Sequence, residues 1–375
     1  MGENKQSKYG MIVSTYSVDE EQGTMQPKNI GDYVQSIAAA QFYPHIDEKI
    51  ERDDISNFTN KNDDIVKVIM NGWWMWRPDN WPPASCIEPL PISIHMSPVH
   101  AEEMLSPAGI QWFKKHEPIG CRDYDTMHRL QSYGIESYYS SCLTLTLYKS
   151  YPPEAMQKRK GVCFVDPYYE MPLNRKEKLQ SLLHILRAPI TILSLCMKEH
   201  FKKACYNAYP YRKHKFRNTL IGASSFHKQY SSYFSDKVLR SAEYLSHIGL
   251  IKCGITTDDE CIKNADSLLK LYQSRKVVVT SRIHVALPCL SMQTPVIFIK
   301  HEDIIGREWR RGRLSGIEDF FRCLVLKNKL LEIEDTELRK YRYNNLLNIN
   351  QIFENKTNWI PFAEKMEKQC EEFCN

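Results

Sequence analysis

Lys276 to Lys300 reads KVVVTSRIHVALPCLSMQTPVIFIK. A β-branched run, Val277 to Thr280, stops at Ser281-Arg282; an apolar helical stretch follows, and Pro295 to Ile299 is strand-forming again. Strand, helix and strand in that order spell one unit of a parallel sheet. Upstream, Tyr9 to Ser17 reads as a buried strand, and Gly31-Asp32 opens a helix from Tyr33 to Phe42. Further strands fall at Asp64–Gly72, Pro91–Met96 and Pro118–Cys121, the last running into a helix over Tyr124–Tyr133. Between Tyr148 and Lys160, two prolines and four basic residues interrupt the alternation and mark a linker.

A second series begins with the strand Gly161–Asp166 and a helix near Arg175–Leu186. The reading continues with a strand at Ile190–Cys196, a helix over Phe226–Ser246, a strand at Leu250–Gly254 and a helix over Asp258–Tyr272. The tail has helical spacing and is expected to pack back across the domain junction. The expected organisation is an N-terminal α/β domain over 1–150, a C-terminal α/β domain over 151–326 and C-terminal helices over 327–375. Both domains are expected to be doubly wound and Rossmann-like and to face a common cleft, with ligands at the carboxyl ends of the strands.

Composition narrows the classes. The 375 residues are 42% hydrophobic and 25% charged, as in folded globular chains. The opening residues carry no apolar signal region, and no apolar run is long enough to cross a membrane, so a cytoplasmic location is expected. The 12 cysteines form no Cys-x-x-Cys pair, and Cys163, Cys196 and Cys289 lie in apolar runs; they read as reduced thiols, with no metal site. A net charge of +5 suits anionic ligands and does not call for nucleic acid. There is no Gly-x-Gly-x-x-Gly turn after the first strand and no P-loop, so phosphate must be met by side chains.

The candidates stand at strand ends. Arg282 offers a fork of donors to a carboxylate or phosphate beside a helix N-terminus, with Ser281 next to it. His284 titrates near neutrality and suits proton transfer. The plainer alternative is that Arg282 pairs with a protein carboxylate and His284 packs or caps. Asn29 and Asp32 either bond a ligand or, for Asp32, cap the adjoining helix. Asn71 precedes a run of tryptophans, Trp73, Trp74 and Trp76 with Trp81 beyond; these either stack on a sugar or bury area against a helix. His95 and His100, flanking a strand end, read first as structural and are secondary candidates for the site. Arg307, Arg310, Arg311 and Arg313 form a basic loop that either meets a phosphate or stays solvated.

The Ser281-Arg282-Ile283-His284 element with its following helix and Pro295 strand resembles the signature of polysaccharide pyruvyl transferases. Asn29, Gly31 and Asp32 resemble that family's Asn-x-Gly-Asp element, and Arg122 in Gly120-Cys-Arg-Asp-Tyr-Asp-Thr resembles its arginine near the fourth strand. The likeness covers about three-quarters of the chain, leaving Cys205 to Tyr233 unmatched. It implies a GT-B-like fold and transfer of pyruvate from phosphoenolpyruvate to a hexose, giving a cyclic ketal and phosphate. Arg122, Arg282 and His284 would hold phosphoenolpyruvate, while His284 or Asp123 would move a proton. No cofactor beyond that co-substrate is implied. The acceptor would be a nucleotide- or lipid-diphosphate-linked glycan of bacterial surface polysaccharide, such as a capsule, with the enzyme in the cytoplasm or peripherally at the inner membrane face. The alternatives are a GT-B glycosyltransferase using a nucleotide sugar and a non-catalytic glycan-binding relative.

Overall fold

Alternate residues of the first strand, β1 (Lys8–Val13), serve different cores: Tyr9, Met11 and Val13 point one way and Ile12 the other. A strand apolar on both sides belongs in a sheet covered on both faces. The structure, a computed structural model, describes residues 7–14, 18–19, 24–25, 29–60, 64–172, 174–198, 216–247, 257–301, 312–349, 351 and 354–375. Among these, β1 joins a six-stranded parallel sheet with β2 (Glu48–Glu51), β3 (Val66–Trp74), β4 (Ile87–Met96), β5 (Ile119–Cys121) and β6 (Ser137–Tyr139). Their spatial order is β2-β1-β3-β4-β5-β6.

The second sheet has β7 (Val162–Val165), β8 (Glu243–Leu245), β9 (Val277–Thr280), β10 (Val296–His301), β11 (Arg322–Lys327) and β12 (Leu330–Ile333), ordered β8-β7-β9-β10-β11-β12. All its pairings are parallel except that of β11 with β12. In each sheet the strand order reverses beside the first strand, between β1 and β3 and between β7 and β9. These switch points open crevices at the strands' carboxyl ends.

The helices are α1 (Ile30–Ala40), α2 (Pro107–Lys115), α3 (Tyr124–Ser132), α4 (Arg175–Ile185), α5 (Pro189–Met197), α6 (Phe216–Tyr230), α7 (Asp236–Ser241), α8 (Asp258–Gln273), α9 (Ile283–Ser291) and α10 (Ile360–Cys374). Asn29 caps α1, Asp123 caps α3, and Thr257 with Glu260 forms a reciprocal capping box on α8. Helix α9 is buried along its whole length.

Three cores result. One covers the outer face of the first sheet and another the outer face of the second. The third lies between the sheets and joins Tyr9, Met11 and Ile69 to Cys163, Val278 and Phe298 through α1, α8, α9 and α10. Helix α10 closes the chain against the first sheet's half, where Tyr9 Oη donates to the Cys374 carbonyl at 2.8 Å and Lys149 pairs with Glu367 and Glu371 at 2.7 and 2.6 Å. Cys163, Cys196 and Cys289 are buried.

Three expectations are corrected. Ile190–Cys196 is helical, not a strand: Thr191, Ile192, Leu195 and Cys196 are its buried residues, a spacing of one helical face. Phe226–Ser246 is not one helix, because α6 ends at Tyr230, Ser235 caps the short α7, and the edge strand β8 follows. The tail beyond Lys327 begins with β12, joined to β11 by Asn328 and Lys329 at φ 48° and 62°. Two residues of positive φ make the tight turn that pairs antiparallel strands. The expected strand Leu250–Gly254 lies outside the described residues, as do Arg307, Arg310 and Arg311.

Candidate active site

Strand β9 ends at Thr280, whose hydroxyl donates to the Val165 carbonyl at 2.8 Å and accepts from the Arg282 amide at 3.0 Å. That double bond fixes the turn. Ser281 Oγ accepts from the Tyr168 amide at 2.8 Å, so the hydroxyl is engaged by backbone. Arg282 is the N-cap residue of α9, and its Nε donates to Asp166 Oδ2 at 3.0 Å. Asp166 directly follows β7, so the pair spans the second sheet's switch point. The carboxylate pairing expected as the plain alternative therefore exists, yet it uses one of the guanidinium's five donors and leaves the side chain 33% exposed.

His284 sits in the first turn of α9, buried, with Nε2 lacking any hydrogen-bond partner. Its ring lies against the start of α1: a Cβ on Gly31 would come within 2.8 Å of His284 Nδ1. A glycine is required there because the two halves of the molecule touch at that point. The Ile30 amide donates to the His247 carbonyl at 3.2 Å and completes the seam.

On the first sheet, Arg122 follows β5 and is fully buried, and among the described residues none of its three guanidinium nitrogens has a hydrogen-bond partner. Its nearest carboxylate is Asp123, 3.8 Å from Nε. Asp123 is also fully buried; Oδ1 accepts from the Thr126 amide at 2.9 Å and Oδ2 meets His95 Nδ1 at 2.5 Å. His95 lies near the end of β4, and among the described residues its buried Nε2 has no hydrogen-bond partner.

Electrostatics follow from burial. Desolvation, with Arg122 and Arg313 nearby, lowers the His95 pKa to about 4 despite Asp123. Burial would raise Asp123, but His95, the hydrogen bond between them and Arg122 outweigh it and hold the carboxyl below its usual range. Burial and then Arg122 and Arg313 push His284 well below an ordinary histidine. Burial also lowers Arg122. With Asp123 ionised and His95 neutral, Nδ1 must be the donor, so Nε2 carries the lone pair.

The remaining predicted residues lie at the start of α1 and along β3. Asn29, not Asp32, caps α1, its Oδ1 accepting from the Gly31 amide at 3.1 Å. Asp32 instead lies 3.6 Å from Arg52, and burial raises its pKa. Asn71 ties β3 to α1 by donating to the Gln35 carbonyl at 3.0 Å. Arg52 also stacks over Trp73 at 5.1 Å, and Trp73 lies 4.7 Å from Trp76. Trp74 and Trp81 are buried while Trp76 is exposed, so the tryptophans divide between core and surface. Beyond Trp76 is an open cavity of about 500 Å³, lined also by Asp79, Trp81, His100 and Glu103. Arg313 reaches the site from the opposite half, where the Ser315 carbonyl accepts from the Tyr124 amide at 3.4 Å.

His95, a secondary candidate in the sequence for its place at a strand end, meets Asp123, and Arg52, which nothing in the sequence marks, lies beside Asp32. Among the described residues, no group of three or more His, Cys, Asp or Glu is placed to hold a metal ion.

Two parallel-dominated Rossmann-like sheets, with Arg282 and His284 following a strand of one and Arg122 a strand of the other, define a GT-B-like scaffold. A family model described as polysaccharide pyruvyl transferase matches residues 29–303, and the chain belongs to that family. It is accordingly a transferase of polysaccharide biosynthesis. No curated protein matches the chain, and no solved structure does.

Proposed function

We propose that the chain transfers pyruvate from phosphoenolpyruvate onto two hydroxyls of a hexose, forming a cyclic ketal and releasing phosphate. The observation that carries this reading is Arg122, a fully buried guanidinium with no hydrogen-bond partner on any nitrogen. A cation in that condition is costly unless a ligand anion completes it. Phosphoenolpyruvate supplies both a carboxylate and a phosphate, which Arg122 and Arg282 suit from opposite halves of the cleft.

In the reaction, C2 of the donor bonds to both sugar oxygens and its bond to the phosphate oxygen breaks. One hydroxyl proton goes to the methylene carbon, which becomes methyl, and the other leaves with phosphate. His95 Nε2 suits the removal of a hydroxyl proton, with Asp123 as the positioning group that fixes its tautomer. His284 Nε2 suits proton delivery once the donor's negative charge raises its affinity for a proton. Asp123 itself is enclosed, with both oxygens bonded, so we assign it no direct contact with substrate.

The acceptor side is the first half of the chain, where exposed Trp76 and the cavity beside it offer an aromatic face with Asp79, His100 and Glu103. We place the acceptor glycan there, on a nucleotide or a lipid diphosphate, in bacterial surface polysaccharide synthesis at the inner membrane face. Arg307 and Arg310 are proposed contacts for the acceptor's phosphates.

The test is phosphate release from phosphoenolpyruvate with a panel of nucleotide- and lipid-linked galactose and mannosamine acceptors, wild type beside Arg282→Ala. Acceptor-dependent release that disappears in the variant supports the reading. Absence of both release and calorimetric binding of phosphoenolpyruvate overturns it and directs screening to nucleotide sugars.

A further inference from the structure

Helix α4 is turned inside out. Its buried side chain is Ser181, and the face it sets against α6 is polar: Ser224 Oγ donates to the Ser181 carbonyl at 2.6 Å, and His184 Nε2 meets His227 Nδ1 at 2.9 Å. Leu179, Leu182, Leu183 and Leu186, at one-face helical spacing, are exposed. Helix α5 adds Ile190, Leu193 and Met197 to the outside while Thr191, Ile192, Leu195 and Cys196 face the core. Leu186 and Ile190 are 78% and 73% exposed, values that rule out partial cover by neighbouring described residues. Among the described residues, seven of the fifteen exposed large apolar side chains thus fall on this one helical pair, a concentration of the kind that marks an interaction surface.

Charge selects the partner. Between 174 and 198 the basic residues are Arg175, Lys176, Lys178, Arg187 and Lys198, against the single acidic residue Glu177. Glu177 is taken by Lys329 at 2.6 Å, and Lys198 bonds inward to the Ala242 carbonyl. Arg175, Lys176 and Arg187 stay exposed around the leucines. A second copy docked by the same face would set these basic rims against each other, whereas an anionic bilayer complements both the apolar crest and its rim. The two helices meet at 105°, and no single helix among the described residues is long and apolar enough to cross a membrane. The pair is therefore shaped to lie in an interface rather than to span it.

We propose that α4 and α5 form a monotopic docking surface that seats the second half of the molecule on an anionic lipid bilayer. The surface also bears on access to the cleft. Helix α4 follows β7 through the loop that begins at Asp166, the residue holding Arg282, and includes Tyr168, which bonds Ser281. Seating α4 thus brings the cleft mouth to the bilayer. This inference stands apart from the choice of donor and acceptor, since binding is read without turnover.

The experiment is flotation of the full chain with vesicles of phosphatidylcholine alone and of phosphatidylcholine containing a quarter phosphatidylglycerol. Binding to the anionic vesicles is expected, with little to the neutral ones. Lys176→Gln with Arg187→Gln should weaken partitioning about twenty-five-fold, at about fivefold per charge. Leu183→Ser with Leu186→Ser and Ile190→Ser should abolish it while circular dichroism and the melting temperature stay unchanged, because all three side chains are solvent-facing. Wild-type protein that floats with neither vesicle, or a serine variant that floats as well as wild type, overturns the proposal. So does a concentration-dependent dimer in light scattering that the serine variant loses, found without vesicle binding.

Discussion

His95 and Asp123 meet through Nδ1 and Oδ2 at 2.5 Å, both side chains wholly enclosed, and the histidine's other nitrogen is left without a partner. The carboxylate accepts and the imidazole donates, so a single tautomer is imposed on a group at the carboxyl end of β4.

Asp123→Asn preserves the cap on α3 through Oδ1 but lets the amide reverse the histidine's tautomer. Turnover should fall about 10²- to 10⁴-fold with the melting temperature little changed. Nitrogen NMR of the His95 ring reports the tautomer directly, and an unchanged tautomer alongside unchanged turnover removes the assignment.

Arg122→Met tests the buried guanidinium with two readouts of opposite sign. Replacing an unsatisfied buried charge by an apolar chain of similar length should stabilise the fold by about 1–4 kcal/mol, while binding of phosphoenolpyruvate falls about a hundredfold or more. Chemical denaturation and calorimetry check the pair. Loss of stability would mean that Arg122 has a structural partner.

Gly31→Ala places a methyl 2.8 Å from His284 Nδ1, closer than nonbonded atoms approach, so the imidazole must move. A fall of about 10- to 100-fold in kcat/KM is expected, with the fold intact. Activity equal to wild type would show that the position of His284 does not matter to the reaction.

The buried histidines give stability a definite pH dependence. His95 and His247 both have folded pKa values lowered to about 4, chiefly by burial, against about 6.5 when unfolded. Between those values the unfolded chain binds protons that the folded chain refuses, so stability is full above about pH 6.5 and drains as pH falls toward 4. Each histidine contributes on the order of 3 kcal/mol over that window. Urea titrations at pH 7, 6, 5 and 4 measure the slope, and a flat profile would contradict the burial of both rings.

The legible part of this molecule was the part where local chemistry and tertiary role agree. Val277 to Thr280, Arg282 and His284 could be placed from sequence because a β-branched run stops at polar residues before an apolar helix. Arg122 was reached through a motif, although nothing in its neighbours announces that its guanidinium lies dry and unpartnered. His95 is no more than a secondary candidate in the sequence, because a single histidine at a strand end carries no mark of its distant carboxylate. Ile190 to Cys196 was misread for a different reason: its helix is apolar toward both core and solvent, and a segment apolar on every side has no 3.6-residue signature to find. The expected strand at Leu250–Gly254 and the arginines at 307 and 310 lie outside the described residues.

The core that joins α1, α8, α9 and α10 between the two sheets has a bearing on engineering. In a transferase whose halves were separate modules, the donor-binding half could be exchanged between relatives as a cassette to change the acceptor or donor independently. Here Tyr9, Val34, Val278, Val285 and Met366 belong to one interior, with the Gly31 and His284 contact at its edge. A chimera cut at the connecting segment would leave two half-cores of foreign shape to be repacked. New specificity in this chain is better sought around exposed Trp76 and the cavity beside it than by exchanging halves.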